Sequence, residues 1–361
     1  MTNEQNAYQG EIEVFLCSSC ASAMTWDEGV QKFRCSSCNT EVADPEGDGI
    51  VSELPFNQYY VEKAKEDWGS GRVFITCRSC GAQVSVAEDE TSVNCSYCGS
   101  PHVLSTRQEA GLPPEGVVPF VIDEAKAKEI FNKWVGKRFW APKELKKLYQ
   151  QLKLKGVYEP FWTFDSSTVS SWHASGGEAY YVTVERNNQK YRERRIRWHP
   201  IRGTWQQNFD DVLVCANNAH SSLMDKLAYY DTSETRPYSS EYLAGVGAQH
   251  YTLMPDQGFV VAKQMMEQSI RKEITQSILR HYDEVSSLRT NTNFSNVFFK
   301  HLLLPVWTTG FMYKDKQYGC MINGQTGKIV GEYPKSALKI ILAVLLGIGI
   351  FAVMIMIFYY L

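Results

Sequence analysis

The run from Ile340 to Leu361 holds 22 residues without a charge, an amide side chain or a proline. At about 1.5 Å per residue a helix of that length reaches roughly 33 Å, enough for the ~30 Å hydrocarbon layer of a bilayer. Gly347 and Gly349 would weaken a helix in water, but glycine is common in membrane helices. A buried core helix rarely stays uncharged for so long, so the run predicts a transmembrane helix. Lys335 and Lys339 precede it and Tyr359 and Tyr360 close it. Basic residues favour the cytoplasmic side and aromatic rings the interface. The expectation is a single-pass tail anchor, residues 338–361, in the cell membrane with the N-terminal bulk in the cytoplasm. The first sixteen residues are polar and carry Glu4, Glu11 and Glu13, which is not a signal-peptide pattern.

A reducing compartment leaves cysteines available to metals instead of disulfides. Cys17-Ser-Ser-Cys20 is followed after fourteen residues by Cys35-Ser-Ser-Cys38, and Cys77-Arg-Ser-Cys80 after fourteen by Cys95-Ser-Tyr-Cys98. Each cysteine of the second set lies sixty positions after its counterpart, the mark of a duplicated unit. A C-x-x-C pair sets two thiolates in one tight turn, and two such turns complete a tetrahedral zinc site. The metal ligands are therefore Cys17, Cys20, Cys35 and Cys38 for one ion, and Cys77, Cys80, Cys95 and Cys98 for a second. With all four positions filled by thiolates, both zinc ions are structural rather than catalytic. Gly81 and Gly99 follow the paired cysteines of the second unit, where the chain needs a left-handed residue. Ala21 and Asn39 occupy those positions in the first, and alanine tolerates that conformation poorly.

The formal net charge of −3 hides an asymmetry: residues 1–110 carry −10 and the remainder +7. A nucleic-acid-binding ribbon needs cations to neutralise phosphates. Only Lys32, Arg34, Arg72 and Arg78 are scattered through these two, so protein contact or scaffolding is favoured. Small ribbons cannot bury every aromatic they carry, and Trp26, Phe33, Phe74 and Tyr97 are expected to face a soluble protein partner. An acidic ribbon docking on the basic half is the competing expectation.

Between the ribbons lies an acidic linker with a short amphipathic helix over Asn57–Trp68, and residues 106–116 with Pro113 and Pro114 lead into the main domain. There Val117–Ile122 reads as a strand, and Asp123 caps a helix that turns Ala127, Ile130, Phe131, Trp134 and Val135 inward. A second helix, 142–155, buries Leu145, Leu148, Tyr149 and Leu152 and carries five lysines on its other face. That face beside Phe139 and Trp140 suits either solvent or anionic lipid. The phrase Tyr158-Glu-Pro160-Phe-Trp162-Thr returns as Leu303-Leu-Pro305-Val-Trp307-Thr, with prolines that suit sheet edges or strand entry points. Tyr180–Glu185, Gln189–His199 and Val212–Cys215 alternate like strands, and Asn323-Gly324 marks a hairpin. A long helix from Pro255 to about His281 aligns Phe259, Met265, Met266 and Ile270 as a core stripe. Phosphate loops, dinucleotide motifs and H-E-x-x-H are absent, Cys215 and Cys320 read as buried thiols, and the expectation is that the protein is no enzyme. Arg192, Arg194, Arg195 and Arg197 line one strand and suit an acidic partner, unless Glu185 and Glu193 pair with them.

The fold class predicted is α+β. It comprises ribbon 1 with its N-terminal tail (1–43), an acidic linker (44–72), ribbon 2 (73–105), a Pro/Gly linker (106–116), and a main domain of largely antiparallel sheet and several helices (117–334), followed by the transmembrane helix. The tandem C-x-x-C ribbons, G-V-Y-E-P-F-W-T-F at Gly156–Phe164, E-Y-L-A-G at Glu241–Gly245, L-L-P-V-W at Leu303–Trp307, N-G-Q-T-G-K at Asn323–Lys328 and the C-terminal helix resemble a group of bacterial zinc-ribbon membrane proteins. These are often encoded beside a flotillin-like SPFH-domain protein and a phage-shock-protein-A homologue. Some carry the label of TFIIB-type zinc-ribbon proteins or of primosomal-helicase relatives. The likeness runs over nearly the whole chain from about Cys77 onward. It implies a non-catalytic membrane adaptor that brings the SPFH protein, and through it the phage-shock protein, to the membrane under envelope stress. The alternative is a membrane-tethered nucleic-acid-binding protein, which would show salt-dependent affinity for oligonucleotides.

Overall fold

The computed structural model describes residues 17–22, 24–27, 29–42, 49, 51–57, 60–61, 72–76, 83–87, 92–94, 101–103, 112–142, 154–186, 189–217, 221–227, 229–239, 242, 246–314 and 316–360, with backbone alone over 72–103. Near the N-terminus β1 (Met24–Asp27), β2 (Lys32–Cys35) and β3 (Glu41–Val42) form a three-stranded antiparallel sheet. After β4 (Leu54–Pro55) come two antiparallel pairs, β5 (Arg72–Thr76) with β6 (Gln83–Ala87) and β7 (Ser92–Asn94) with β8 (Pro101–Val103). β6, β7 and β8 each begin about sixty residues after β1, β2 and β3, and β7 pairs with β8 as β2 does with β3, but among the described residues β6 pairs with β5 and not with β7.

β9 (Gly116–Val117) leads to α1 (Glu124–Gly136), where the Asp123 carboxylate accepts from the Lys126 N–H at 2.5 Å. Ala127, Phe131, Trp134 and Val135 point inward as the periodicity predicts. The predicted helices over 57–68 and 142–155 fall mainly outside the described residues.

Three very long strands then dominate: β10 (Lys155–Arg186), β11 (Gln189–Cys215) and, after α2 (Ser221–Leu227), β12 (Arg236–Pro237), β13 (Gly247–Ala248) and α3 (Pro255–Leu279), β14 (Glu284–Tyr313). β15 (Lys316–Asn323), β16 (Ile329–Gly331) and the terminal α4 (Ala337–Tyr360) complete the chain. The main path runs β11-β10-β14-β15-β16, every step antiparallel. The whole sheet is nonetheless mixed, which corrects the expectation of a largely antiparallel one. β9 joins β14 in parallel at Leu302 and Leu303, and β13 joins β10 in parallel at Val157 and Tyr158. The reason is edge coverage. The β11 ladder begins only at Phe161 and the β15 ladder only at Val306, so the bare edges beyond them are closed by short returning segments.

The two proline phrases lie against one another, with Tyr158 opposite Pro305 and Pro160 opposite Leu303. Each proline sits where a neighbouring ladder stops. Pro160 is one residue short of the β11 pairing and Pro305 one short of the β15 pairing, so the missing N–H costs no ladder bond there. Register shifts in β10 at Phe164/Ser166, Asp165/Ser167 and His173/Ser175, with Asp211, Ser287 and Asn296 at positive φ, are β-bulges that bend strands of this length around the core.

α3 lies across the sheet and buries Phe259, Ala262, Met266, Ile270, Ile274 and Ile278, spaced by three or four. Its first half meets Trp162, Phe164 and Phe299, and its second half Trp172, Ile201 and Trp205. The predicted stripe holds except at Met265, which is 44% exposed while its neighbour Met266 is fully buried.

Candidate metal centre and the surfaces around it

The four cysteines of ribbon 1 converge from two turns, one before β1 and one between β2 and β3. Sγ atoms lie 3.5 Å apart for Cys17 and Cys38, 3.4 Å for Cys20 and Cys35, and 3.4 Å for Cys20 and Cys38. All four ligand atoms fall within 4.8 Å of one another. A disulfide needs about 2.05 Å between sulfurs, whereas a tetrahedral metal with ~2.3 Å bonds sets them about 3.8 Å apart. The cluster matches the second geometry, and all four thiols are free.

Each turn is built alike. The Ala21 N–H donates to the Cys17 carbonyl at 2.8 Å, the Asn39 N–H donates to the Cys35 carbonyl at 3.0 Å, and both residues have φ of 57°. These are the two positions where the sequence calls for a left-handed residue. The Ser19 N–H points at the Cys17 sulfur at 3.4 Å and is the main reason that thiol is held down to about 6, against the opposing effect of burial. Cys20 is also lowered, chiefly by the Ser22 side chain. For Cys35 the Cys38 N–H lowers the value, but burial and the neighbouring thiols outweigh it and push it up to about 11. Two thiols that ionise readily beside one that resists need a cation to hold all four as thiolates, and the donor set fits a thiophilic metal. Cys77, Cys80, Cys95 and Cys98 lie outside the described residues, in the stretches that join β5 to β6 and β7 to β8.

Ribbon 1 does not turn its aromatics to solvent. Phe33 is fully buried and Trp26 nearly so; their rings sit 5.3 and 5.0 Å from the Tyr242 ring. Trp26 Nε1 and Gln31 Nε2 both donate to the Phe120 carbonyl, at 3.4 and 2.9 Å, and the Arg236 guanidinium lies 5.0 Å over the Trp26 ring. This corrects the expectation that Trp26 and Phe33 face a soluble partner. A module this small buries its aromatics by docking them on the main domain. Phe74 and Tyr97 have no described side chains.

The arginine strand is resolved residue by residue. Arg194 pairs with Glu284 at 2.6 Å and Arg195 with Glu193 at 3.2 Å, while Arg192 and Arg197 lie 5.0 and 5.2 Å over the rings of Tyr181 and Tyr180. β14 stops pairing with β10 at Gly177, so residues 178–197 form a two-stranded arm paired only with itself. Nine residues from Gly177 to Arg186 at about 3.3 Å each extend this arm roughly 30 Å past the sheet. Tyr181 and Tyr191 are exposed along it, and Trp198 is exposed at its root. At its root Gly177 is pressed against Trp198 and Ile196, where a Cβ would approach to 2.8 and 2.7 Å.

Two features, one buried and one partly exposed, were invisible as such in the sequence. Glu159, in the first proline phrase, is fully buried, and desolvation pushes its carboxyl up to about 8 against the opposing influence of Asn217. Glu53, Asp165 and Asp210 cluster at the β-bulge, but the Lys300 ammonium lies 3.1 Å from Glu53 and 2.8 Å from Asp211 and supplies the counter-charge. Cys215 and Cys320 are buried, and burial raises both thiols, as expected of inert core cysteines.

The chain is similar to the uncharacterized protein YdjG of Bacillus subtilis (strain 168), at 27% identity over 336 residues covering 90% of this chain and 91% of the relative. No protein-family model matches the chain, and no solved structure matches it. The four-cysteine cluster and the single apolar C-terminal helix fit the zinc-ribbon membrane group suggested by the motifs.

Proposed function

We propose that the protein is a non-catalytic, membrane-anchored adaptor that holds a cytoplasmic protein at the membrane. α4 is long and apolar enough to cross a bilayer, and none of its apolar window is buried against the described residues. In this reading it crosses once and the folded head lies in the cytoplasm, with Lys335 and Lys339 on the inner side. Both cysteine sets hold structural zinc, two ions per chain, and the ribbons brace the head. The partner, following the motif resemblance, is an SPFH/flotillin-like protein and through it a phage-shock-protein-A homologue, acting in envelope stress.

The observation that carries the reading is the arm of residues 178–197. It puts exposed Tyr181 and Tyr191 beside the arginines on a two-stranded support, with Trp198 at its root. Tyrosine, tryptophan and arginine dominate the energetics of protein interfaces. With Trp26 and Phe33 turned inward, the arm takes the recruiting role expected of the ribbons. The test replaces residues 179–196 by Asn-Gly, which closes the hairpin at the Glu178–Arg197 pair. The shortened protein should stay in the membrane and lose the partner. Full recruitment by this variant would refute the assignment. The arm's arginines and aromatics also suit nucleic acid, and salt-dependent oligonucleotide binding abolished by the same change would favour that second reading.

A further inference from the structure

We infer that the loop after α1, residues 137–141, is a second membrane-contact element, with the Phe139 ring seated in the lipid interface. This rests on the reading of α4 as a membrane helix. Three hydrogen bonds tie the loop to the start of that helix: Ser336 N–H to the Trp140 carbonyl at 2.8 Å, and the Lys339 ammonium to the carbonyls of Phe139 at 2.8 Å and Ala141 at 2.7 Å. The Lys339 ammonium also lies 5.5 Å over the Phe139 ring. The 24 residues of α4 reach about 36 Å at 1.5 Å each, some 6 Å more than the hydrocarbon layer, so the first turn stands in the headgroup region. A loop bonded to residues 336 and 339 stands at the same depth.

Phe139 is 71% exposed there, and its ring meets Trp140 edge-on at 5.3 Å. In water an exposed phenylalanine beside a second aromatic has nothing to gain; at the headgroup level such rings are the favoured residues. Lys137 and Lys335 are exposed at the same end and face the layer where anionic phosphates lie. Arg138, by contrast, is folded back over Trp134 at 4.3 Å and Tyr333 at 5.2 Å. Lys339 does not reach for phosphate either, since its ammonium is committed to the loop carbonyls. It joins the head to the anchor and fixes the head's tilt on the membrane.

The experiment places a photoreactive phenylalanine analogue at position 139, 345 or 191 of the full chain in liposomes containing anionic lipid, and measures covalent lipid adducts. Position 345 lies inside α4 and 191 near the tip of the arm. The expected result is labelling at 345 and 139, with 139 at least fivefold above 191. Labelling at 345 with 139 no higher than 191 would overturn the inference and leave the anchor standing. Absence of labelling at 345 would overturn the anchor itself, and with it this inference.

Discussion

Ala21 and Glu159 are single residues at which local physics is strained in opposite ways. Ala21 holds a left-handed φ of 57° for the sake of its cysteine turn. That conformation costs an alanine about 1 kcal/mol that glycine avoids. Ala21→Gly should therefore tighten metal retention by ribbon 1 about fivefold, read as slower transfer of metal from the full chain to a chelator. Equal transfer rates would show that the turn is not limiting. Glu159 has a folded value near 8, above the ordinary 4.5 of a glutamate. The folded state thus holds the proton more tightly than the unfolded one. The associated stability is fully present below about 4.5 and is lost as pH rises through 8. Glu159→Gln should flatten that loss and raise stability at pH 8 by a few kcal/mol, of the order of the shift at 1.36 kcal/mol per unit. A melting profile that still falls between pH 5 and 8 in the variant would contradict this. The left-handed turn positions were legible in the sequence because a C-x-x-C knuckle imposes them. The burial of Glu159 was not, because an acid within Tyr-Glu-Pro-Phe reads as the polar half of an alternation until both faces of the sheet are covered.

Among the elements, α3 shows what periodicity can and cannot resolve. Its extent from Pro255 follows from apolar spacing, but a stripe that includes Met265 does not: Met266 lies seven residues after Phe259 and four before Ile270, whereas Met265 falls off that face. Packing against the sheet separates them. Met266→Ala should cost 2–5 kcal/mol and Met265→Ala less than about 0.5, measured by denaturant unfolding of the same full chain. Comparable losses at both sites would mean that the helix is rotated from the position described. The long strands were under-read for a different reason. Serines and glycines such as Ser166, Ser167, Gly176 and Gly177 look like breaks, but in β10 they are bulges and close-packing points within one 32-residue strand. β13 had no signal of its own, and of the run Val117–Ile122 that reads as a strand only Val117 pairs, in β9; both short strands cover edges that the long strands leave bare.

For the molecule as a whole, ribbon 1 meets the main domain by aromatic and hydrogen-bond contacts, while its described ion pairs, Lys32–Glu41, Arg34–Asp27 and Arg34–Glu41, stay within the ribbon. Ribbon 1 packs on the main domain through Trp26, Phe33 and Gln31 rather than standing off from it. The zinc stoichiometry belongs to this scale too: elemental analysis of the purified full chain should return two zinc ions, and less than about one would contradict the structural role of the cysteine sets. The cysteine spacing and the apolar run announced the ribbon cluster and the C-terminal helix; the arm and the loop bonded to α4 were not legible, because both arise from segments that meet from far apart in sequence. In the proposed role this chain places its partner at the membrane. The test follows a fluorescent fusion of the proposed SPFH-type partner in cells expressing either the full chain or a chain lacking residues 338–361. The partner should line the membrane with the full chain and spread through the cytosol with the truncated one. A partner that stays at the membrane when the anchor is gone would contradict it.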